Sequence, residues 1–279
     1  MSGEVLLRVA LQAAYPNKPV LRDIRFELQR GEILGLAGTS GVGKSTLILS
    51  LLGLLPWRGG RVSGEVELEG ENLLSLNERR LRELRGRKVA LIPQSPMTAL
   101  NSAISLRSHF VEAWNAHEHH GGSELDRRVR ELLTEVQLPS DRDFLRRRPS
   151  QISVGQAQRV LIALALLHSP ALIIADEPTS ALDPVTQAQI VDLLRRLNRR
   201  HGTAMLYVSH DLVSVLRLCD RVAILDSGTI AECLPVEELS RASHDSTRAL
   251  LGTLPVPIEV LLRFRSSAVV EPLQLVTAD

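Results

Sequence analysis

Eight consecutive residues, Gly38-Thr39-Ser40-Gly41-Val42-Gly43-Lys44-Ser45, match the spacing G-x-x-x-x-G-K-[ST]. Glycines let a loop fold back so that backbone N–H groups converge on phosphate oxygens. A helix opening near Lys44, with Thr46 in the same turn, would point its positive end at that anion. Lys44 is expected to reach the β- and γ-phosphates of a nucleotide, and Ser45 to place its hydroxyl on Mg²⁺. A second group is Ala171-Leu-Ile-Ile-Ala-Asp176-Glu177, an apolar run ending in two carboxylates. In an α/β sheet, ligands sit at the carboxyl ends of the strands. Asp176 is suited to hold Mg²⁺ through its water shell, and Glu177 to polarise an attacking water as general base.

The elements that must position these groups follow from the apolar pattern. Strands are predicted at Leu6–Ala10, Ile24–Leu28, Glu32–Ala37 and Val62–Leu68, with the glycine-rich loop directly after Ala37. A helix is predicted from Lys44 to about Leu54, stopping near Pro56 and Gly59–Gly60, and a strand at Val89–Ile92 ends at Pro93. The next stretch is mostly helical. Ser123 is placed to cap a helix, with Asp126 three positions on and Val129, Leu132, Leu133 and Val136 on one face; another helix runs from near Ser153 to His168. From Ala171 strands and helices alternate, with helices at Pro184–Arg199 and Leu212–Leu218 and strands at Ala204–Ser209 and Arg221–Asp226. Unbroken apolar strands predict a parallel sheet covered on both faces. Beyond about Ser240 the periodicity fades.

Composition narrows the class. With 279 residues, 44% hydrophobic and 23% charged, the chain is globular, of one or two domains. Lys+Arg 33 against Asp+Glu 32 argues against a nucleic-acid binder recruited by bulk charge. Two cysteines, Cys219 and Cys233, form no C-x-x-C pair, which disfavours a disulfide framework or a structural zinc site. The first residues carry Glu4 and Arg8 where a secretory leader needs an apolar core, and no apolar run approaches the roughly 20 residues of a spanning helix. The expectation is a soluble chain.

The order of motifs is more specific still. A P-loop, then Gln94 after a strand, then Ser153-Val154-Gly155-Gln156, the acidic strand, Ser180-Ala-Leu-Asp183 and His210 at a strand end follow one another. In this the chain resembles the ATP-binding subunit of ABC transporters, from about Leu6 to Leu251. The resemblance implies an α/β fold: a P-loop NTPase core with a parallel sheet, an N-terminal antiparallel β subdomain and an inserted helical signature subdomain. Residues 1–240 would form the ATP-binding domain, with the helical subdomain at about 95–165, and 241–279 a C-terminal tail.

The resemblance also implies roles. Lys44, Glu177 and His210 would be catalytic, His210 as the switch that holds the γ-phosphate. Tyr15 would stack on adenine, unless it is an ordinary surface tyrosine. Gln94 would touch Mg²⁺, with Ser45 and Asp176, and couple to a membrane subunit. Ser153, Gly155 and Gln156 would meet the γ-phosphate of ATP held by an opposite subunit, and Asp183 would lie in the loop crossing that interface. Implied with these are ATP and Mg²⁺, a second ABC ATPase (identical or similar), two transmembrane permease subunits and, indirectly, an extracytoplasmic solute-binding protein. No nucleic acid is implied. The place would be peripheral, on the cytoplasmic face of a bacterial inner membrane. One departure is Val154, where the family usually has glycine; a β-branched side chain restricts the backbone and crowds an approaching phosphate.

Pro93-Gln-Ser-Pro-Met-Thr-Ala-Leu-Asn-Ser102 and Ser243-His-Asp-Ser-Thr-Arg-Ala-Leu-Leu251 resemble the peptide and nickel importer ATPases, with Ser102 and Asp245 in place of prolines. Some of those carry an iron–sulfur segment near the C-terminus; here no cysteine follows Cys233. The implied function is to energise uptake of peptides, nickel or a metal–chelator complex. The alternatives are an ABC-type ATPase uncoupled from transport, such as a phosphonate-breakdown accessory protein, and a non-catalytic ATP-gated module. The complete set of Lys44, Asp176, Glu177 and His210 argues against the last. His117, His119 and His120 read as a solvated loop tip rather than a metal site, and Arg146–Arg148 and Arg79–Lys88 as exposed helix faces.

Overall fold

The computed structural model describes residues 3–118 and 122–267. Alternating apolar residues fold the N-terminal chain into a hairpin of β1 (Val5–Tyr15) and β2 (Lys18–Gln29). Both strands outrun the predicted segments because ladder pairing continues to Tyr15↔Lys18, where Asn17 takes the left-handed φ of 63° that closes the turn. β3 (Ile33–Ala37) leads through the glycine loop to α1 (Lys44–Leu51). That helix stops three residues short of the predicted end. Gly53 adopts φ 63°, and Leu54 N–H bonds the Leu49 carbonyl at 2.8 Å, a Schellman closure. β4 (Arg61–Leu68) pairs with β1 and with the short β5 (Glu71–Asn72); α2 (Glu78–Leu84) and β6 (Val89–Ile92) follow.

Between β6 and the next strand the chain is helical: α3 (Pro96–Ala99), α4 (Leu106–Asn115), α5 (Gly122–Glu135), α6 (Arg142–Arg146) and α7 (Val154–Ala165). Ser123 is not the cap of α5, since Gly122 is already helical and Ser123 lies within the first turn. Then come β7 (Leu172–Asp176), α8 (Pro184–His201), β8 (Ala204–Val208), α9 (Leu212–Leu218), β9 (Arg221–Asp226) and β10 (Thr229–Pro235). β10 gives no alternation in sequence because all seven of its residues are half-buried. It forms through a two-residue hairpin turn in which Ser227 and Gly228 both have positive φ, 48° and 80°.

The strands form one ten-stranded sheet in the order β5-β4-β1-β2-β10-β9-β3-β8-β7-β6. The stretch β9-β3-β8-β7-β6 is parallel; β10 pairs antiparallel with β9 and meets β2 of the antiparallel hairpin layer through the pair Thr229↔Asp23. Successive residues of the parallel strands enter different cores. Ile173, Ala175, Met205 and Tyr207 pack under α8, α9 and the helical segment, while Leu172, Ile174, Leu206 and Val208 pack with α1 and the N-terminal layer. That two-sided burial is why these strands read as unbroken apolar runs. The poorly periodic end folds as α10 (Asp245–Leu251) and α11 (Ile258–Ser267). It is tied to β10 by Ser243 N–H and Oγ on Glu232 Oε1, both at 2.8 Å, and to β9 by Ser246 Oγ on Asp226 at 2.7 Å. Among the described residues no helix is long and apolar enough to cross a membrane.

Candidate active site

The loop from β3 to α1 turns on Gly41 and Gly43, whose φ values of 80° and 118° lie where side-chain-bearing residues are strained. No side chain caps α1, so the first-turn N–H groups of Lys44, Ser45 and Thr46 are left for an anion. Lys44 Nζ donates to the carbonyls of Gly38 (2.7 Å) and Thr39 (3.0 Å), so those two residues hold the lysine inside the loop. Burial pushes the Lys44 ammonium below its ordinary pKa, against the attraction of Glu177 and Asp176.

A cavity of about 690 Å³ opens over this loop. Ser40 to Thr46, Gln94 and Glu177 line it together with Tyr15, Lys18, Val20, Arg22 and the Ser227–Gly228 turn. Tyr15 thus shares a cavity with the phosphate loop. Lys18, Arg22 and the Ser227–Gly228 turn were not anticipated from sequence, since no motif marks them; the β1–β2 and β9–β10 hairpins bring them in.

Asp176 ends β7, half-buried, and no described residue donates a hydrogen bond to its carboxylate. Burial, reinforced by Glu177, raises its pKa above the usual carboxylate range, and Lys44 only partly offsets this. The next residue, Glu177, takes a left-handed φ of 43°, and its N–H is tied to the Val208 carbonyl at 2.8 Å. That kink turns its side chain away from the line of β7. Its carboxylate is held at both ends: His210 Nδ1 lies 3.0 Å from Oε1, and Gln94 Nε2 donates to Oε2 at 3.0 Å. Three separately predicted residues, from the ends of β6, β7 and β8, therefore meet at one carboxyl group. His210 also lines a neighbouring cavity of about 380 Å³ with Thr179, Ser180 and Gln187.

Ser153, Gly155, Gln156 and Asp183 do not line the phosphate-loop cavity. Ser153 caps α7 in a reciprocal box, with Ser153 Oγ accepting from Gln156 N–H at 3.2 Å and Gln156 Oε1 from Ser153 N–H at 3.0 Å. Asp183 caps α8, accepting from Val185 N–H (3.1 Å) and Thr186 N–H (3.0 Å). Hydrogen bonds from Thr186 hold its carboxyl below the usual range. Gly155 lies close to α8: a Cβ there would lie 2.9 Å from Thr186 Cγ2, so that methyl would have to shift. Val154 is the first residue of α7 and needs no positive φ, so the expected backbone restriction does not arise; what remains is an exposed isopropyl group, 38% accessible.

Of the histidine tract, His119 and His120 lie outside the described residues. His117 sits edge-on to His168, ring centroids 5.0 Å apart, and His168 stacks on Trp114. Among the described residues no three His, Cys, Asp or Glu side chains cluster as a metal site.

The family described as "ABC transporter" matches residues 21–180. A probable peptide ABC transporter ATP-binding protein of Sinorhizobium fredii is 41% identical over 237 residues, 84% of this chain and 71% of that protein. The oligopeptide transport ATP-binding protein OppD of Lactococcus lactis subsp. cremoris is 36% identical over 248 residues, 88% of this chain and 73% of that one. Among solved structures, an ATP-binding cassette captured as a dimer in a post-hydrolysis state with ADP and Pi superposes with TM-score 0.70 at 27% identity, covering 83% of this chain and 98% of that one. CbiO1 from Clostridium perfringens, part of the ABC transporter complex CbiONQ, superposes with TM-score 0.74 at 25% identity, covering 96% and 100%.

Proposed function

The chain belongs to the ABC transporter family and is an ATP hydrolase, and on that premise we propose that it is the energy-coupling subunit of a bacterial peptide importer. The observation that carries the reading is the division of the site. The phosphate loop, Gln94 and Glu177 line one cavity and His210 contacts Glu177, while Ser153 and Gln156 bond each other as the cap of α7 and make no hydrogen bond to any of these groups. Such a half-site is completed by the capped end of α7 from a second ATPase subunit, identical or similar. The names of the relatives favour peptides over nickel or a metal–chelator complex as solute.

In this reading residues 1–240 act as the ATP-binding domain, with 95–165 as its signature-bearing helical part and 241–279 as an appended tail. The first-turn N–H groups of α1 and Lys44 hold the phosphates, and Tyr15 stacks on the base. Ser45 Oγ, Asp176 and the Gln94 side-chain oxygen form a hard-oxygen set suited to Mg²⁺, and the unbonded, half-buried Asp176 carboxylate fits a cation. When bound, Mg²⁺ supplies neutralisation of the phosphate charge. Glu177, oriented by Gln94 and His210, accepts the proton of the attacking water. Lys44 is freed from Gly38 and Thr39 to meet the γ-phosphate.

Gln94 links this chemistry to transport. Leu91 on the edge strand β6 and Met97 in α3, each 38% exposed, lie on either side of it in the chain and offer apolar surface to a permease helix at the cytoplasmic face of the membrane. The test has two parts. ATPase activity per chain should rise steeply with concentration or with added partner ATPase, and the chain should co-purify from membranes with two permease subunits. Full activity from a demonstrably monomeric preparation would refute the shared site. Isolation without permeases would favour the transport-uncoupled ATPase.

A further inference from the structure

His210 meets Glu177 Oε1 at 3.0 Å although its side chain is 55% exposed. An exposed imidazole has other staggered rotamers open to it, so that contact persists only where the chain on either side is fixed. On one side Ser209 N–H donates to the Leu36 carbonyl of β3 at 3.2 Å. On the other, Asp211 caps α9: its carboxylate accepts from Val213 N–H at 3.0 Å and Ser214 N–H at 3.3 Å, and its own N–H donates to Ser209 Oγ at 3.0 Å. Ser214 Oγ, which donates to the Asp211 carbonyl at 2.8 Å, also accepts from the buried Tyr207 hydroxyl at 3.1 Å. These bonds close residues 207–214 on themselves. From α8 comes a further bond, Gln187 Nε2 donating to Asp211 Oδ2. Gln187 stands one turn inside that helix, its N–H on the Asp183 carbonyl at 2.8 Å, and lines the cavity that also borders His210 rather than the nucleotide cavity.

We propose that Gln187 is a positioning residue for ATP hydrolysis: through Asp211 it holds the His210 imidazole on Glu177. The inference rests on the proposed roles of Glu177 and His210 and adds to them a residue outside the nucleotide cavity. The pairing is chemically specific. An ionised carboxylate only accepts, so the glutamine amide must face it with its NH₂, and a bond to a charged acceptor is about twice as strong as a neutral one. Without it the α9 cap survives on its two main-chain bonds, but the turn carrying His210 loses its tie to α8. Misplacing a reacting group by about 1 Å can cost ~10²-fold in rate, and a loosened contact costs less, about tenfold. Because Gln187 does not line the nucleotide cavity, ATP affinity should stay as it is.

The experiment is steady-state ATP hydrolysis by the full chain, at the concentration where activity per chain saturates. Gln187→Glu sets a second carboxylate against Asp211 and should lower kcat about tenfold, with KM for ATP changed by less than about twofold. Gln187→Leu, which removes the donor without adding charge, should lower kcat in the same way but less, and carries the test where the charged variant misfolds. Adding Asp211→Asn to Gln187→Glu reverses the bond: the asparagine NH₂ donates to the glutamate while its oxygen still accepts from Val213 N–H. That pair should return kcat to within about threefold of the unaltered chain. In a His210→Ala background, Gln187→Glu should cost less than about twofold more, because the group it positions is gone. The inference is overturned if either Gln187 variant, with an unchanged melting temperature, turns over like the unaltered chain, or if KM rises in place of a fall in kcat. It is equally overturned if the reversed pair is not rescued, or if Gln187→Glu loses as much without His210 as with it. Normal turnover by His210→Ala would overturn the proposed site itself, and this inference with it.

Discussion

Glu177→Gln separates the proposed base from every other group in the site. In the structure the carboxylate takes one contact from His210 and one from Gln94, each at 3.0 Å. A glutamine has the same shape. Its oxygen can accept from Gln94, and its NH₂ can face the imidazole nitrogen in the matching tautomer, so the local geometry survives. Lys44, Ser45 and Asp176 are untouched, and loss of the Glu177 charge lets the Asp176 carboxyl fall back toward its usual pKa, which favours cation binding. What disappears is the proton acceptor. A positioned base is worth about 10²–10⁴ in rate, or about 2.7–5.4 kcal/mol of barrier. Phosphate release by the assembled complex should therefore drop by that factor, while ATP binding, followed by filter retention of labelled nucleotide, stays within about threefold. Hydrolysis within tenfold of the unaltered protein, with binding intact, would show that Glu177 is not the base and that its contacts with Gln94 and His210 serve position alone.

Other outcomes follow from the same geometry. Gly155→Ala should drive α7 and α8 apart at Thr186 Cγ2, an overpacking worth about 1–3 kcal/mol in thermal unfolding, and Thr186→Ser, which deletes that methyl, should restore much of it; no rescue would place the strain elsewhere. Because burial and Glu177 raise the folded-state pKa of Asp176 above its unfolded value, the ionised group destabilises the nucleotide-free fold. Asp176→Asn should raise the melting temperature at neutral pH, the gain shrinking as pH falls through the raised pKa and vanishing below about pH 4, while Mg²⁺-dependent turnover is lost; an unchanged or lower melting temperature at neutral pH contradicts this sign. In a heterodimeric ATPase, Lys44→Ala should stop transport while disabling the partner's P-loop lysine leaves turnover, and Val154→Gly should speed the site that α7 completes severalfold without altering nucleotide binding at Lys44. Equal losses from both lysine variants and no effect of Val154→Gly would make the two sites equivalent.

The candidate site residues were legible in the chain, because phosphate loops and acidic strand ends depend on short-range spacing that survives in one dimension. Gly38 to Ser45, Asp176-Glu177, the start of a helix near Ser153 and the limits of α9 and β9 all follow from local rules of backbone freedom and apolar period. Local rules misplaced the start of α5 and overran α1, where a glycine in the left-handed region closes the helix before the apolar pattern ends. They were silent on β10, whose evenly half-buried residues have no preferred face until β9 pairs with them. Only the tertiary structure decided that Gln94 and His210, 83 residues before Glu177 for the first and on a different strand end for the second, grip the same carboxylate, since parallel strands β6, β7 and β8 bring their carboxyl ends to one edge. It also decided what Val154 means. Sequence alone makes valine for glycine a backbone problem; at the first turn of α7 the backbone is ordinary helix, and the difference reduces to one exposed side chain.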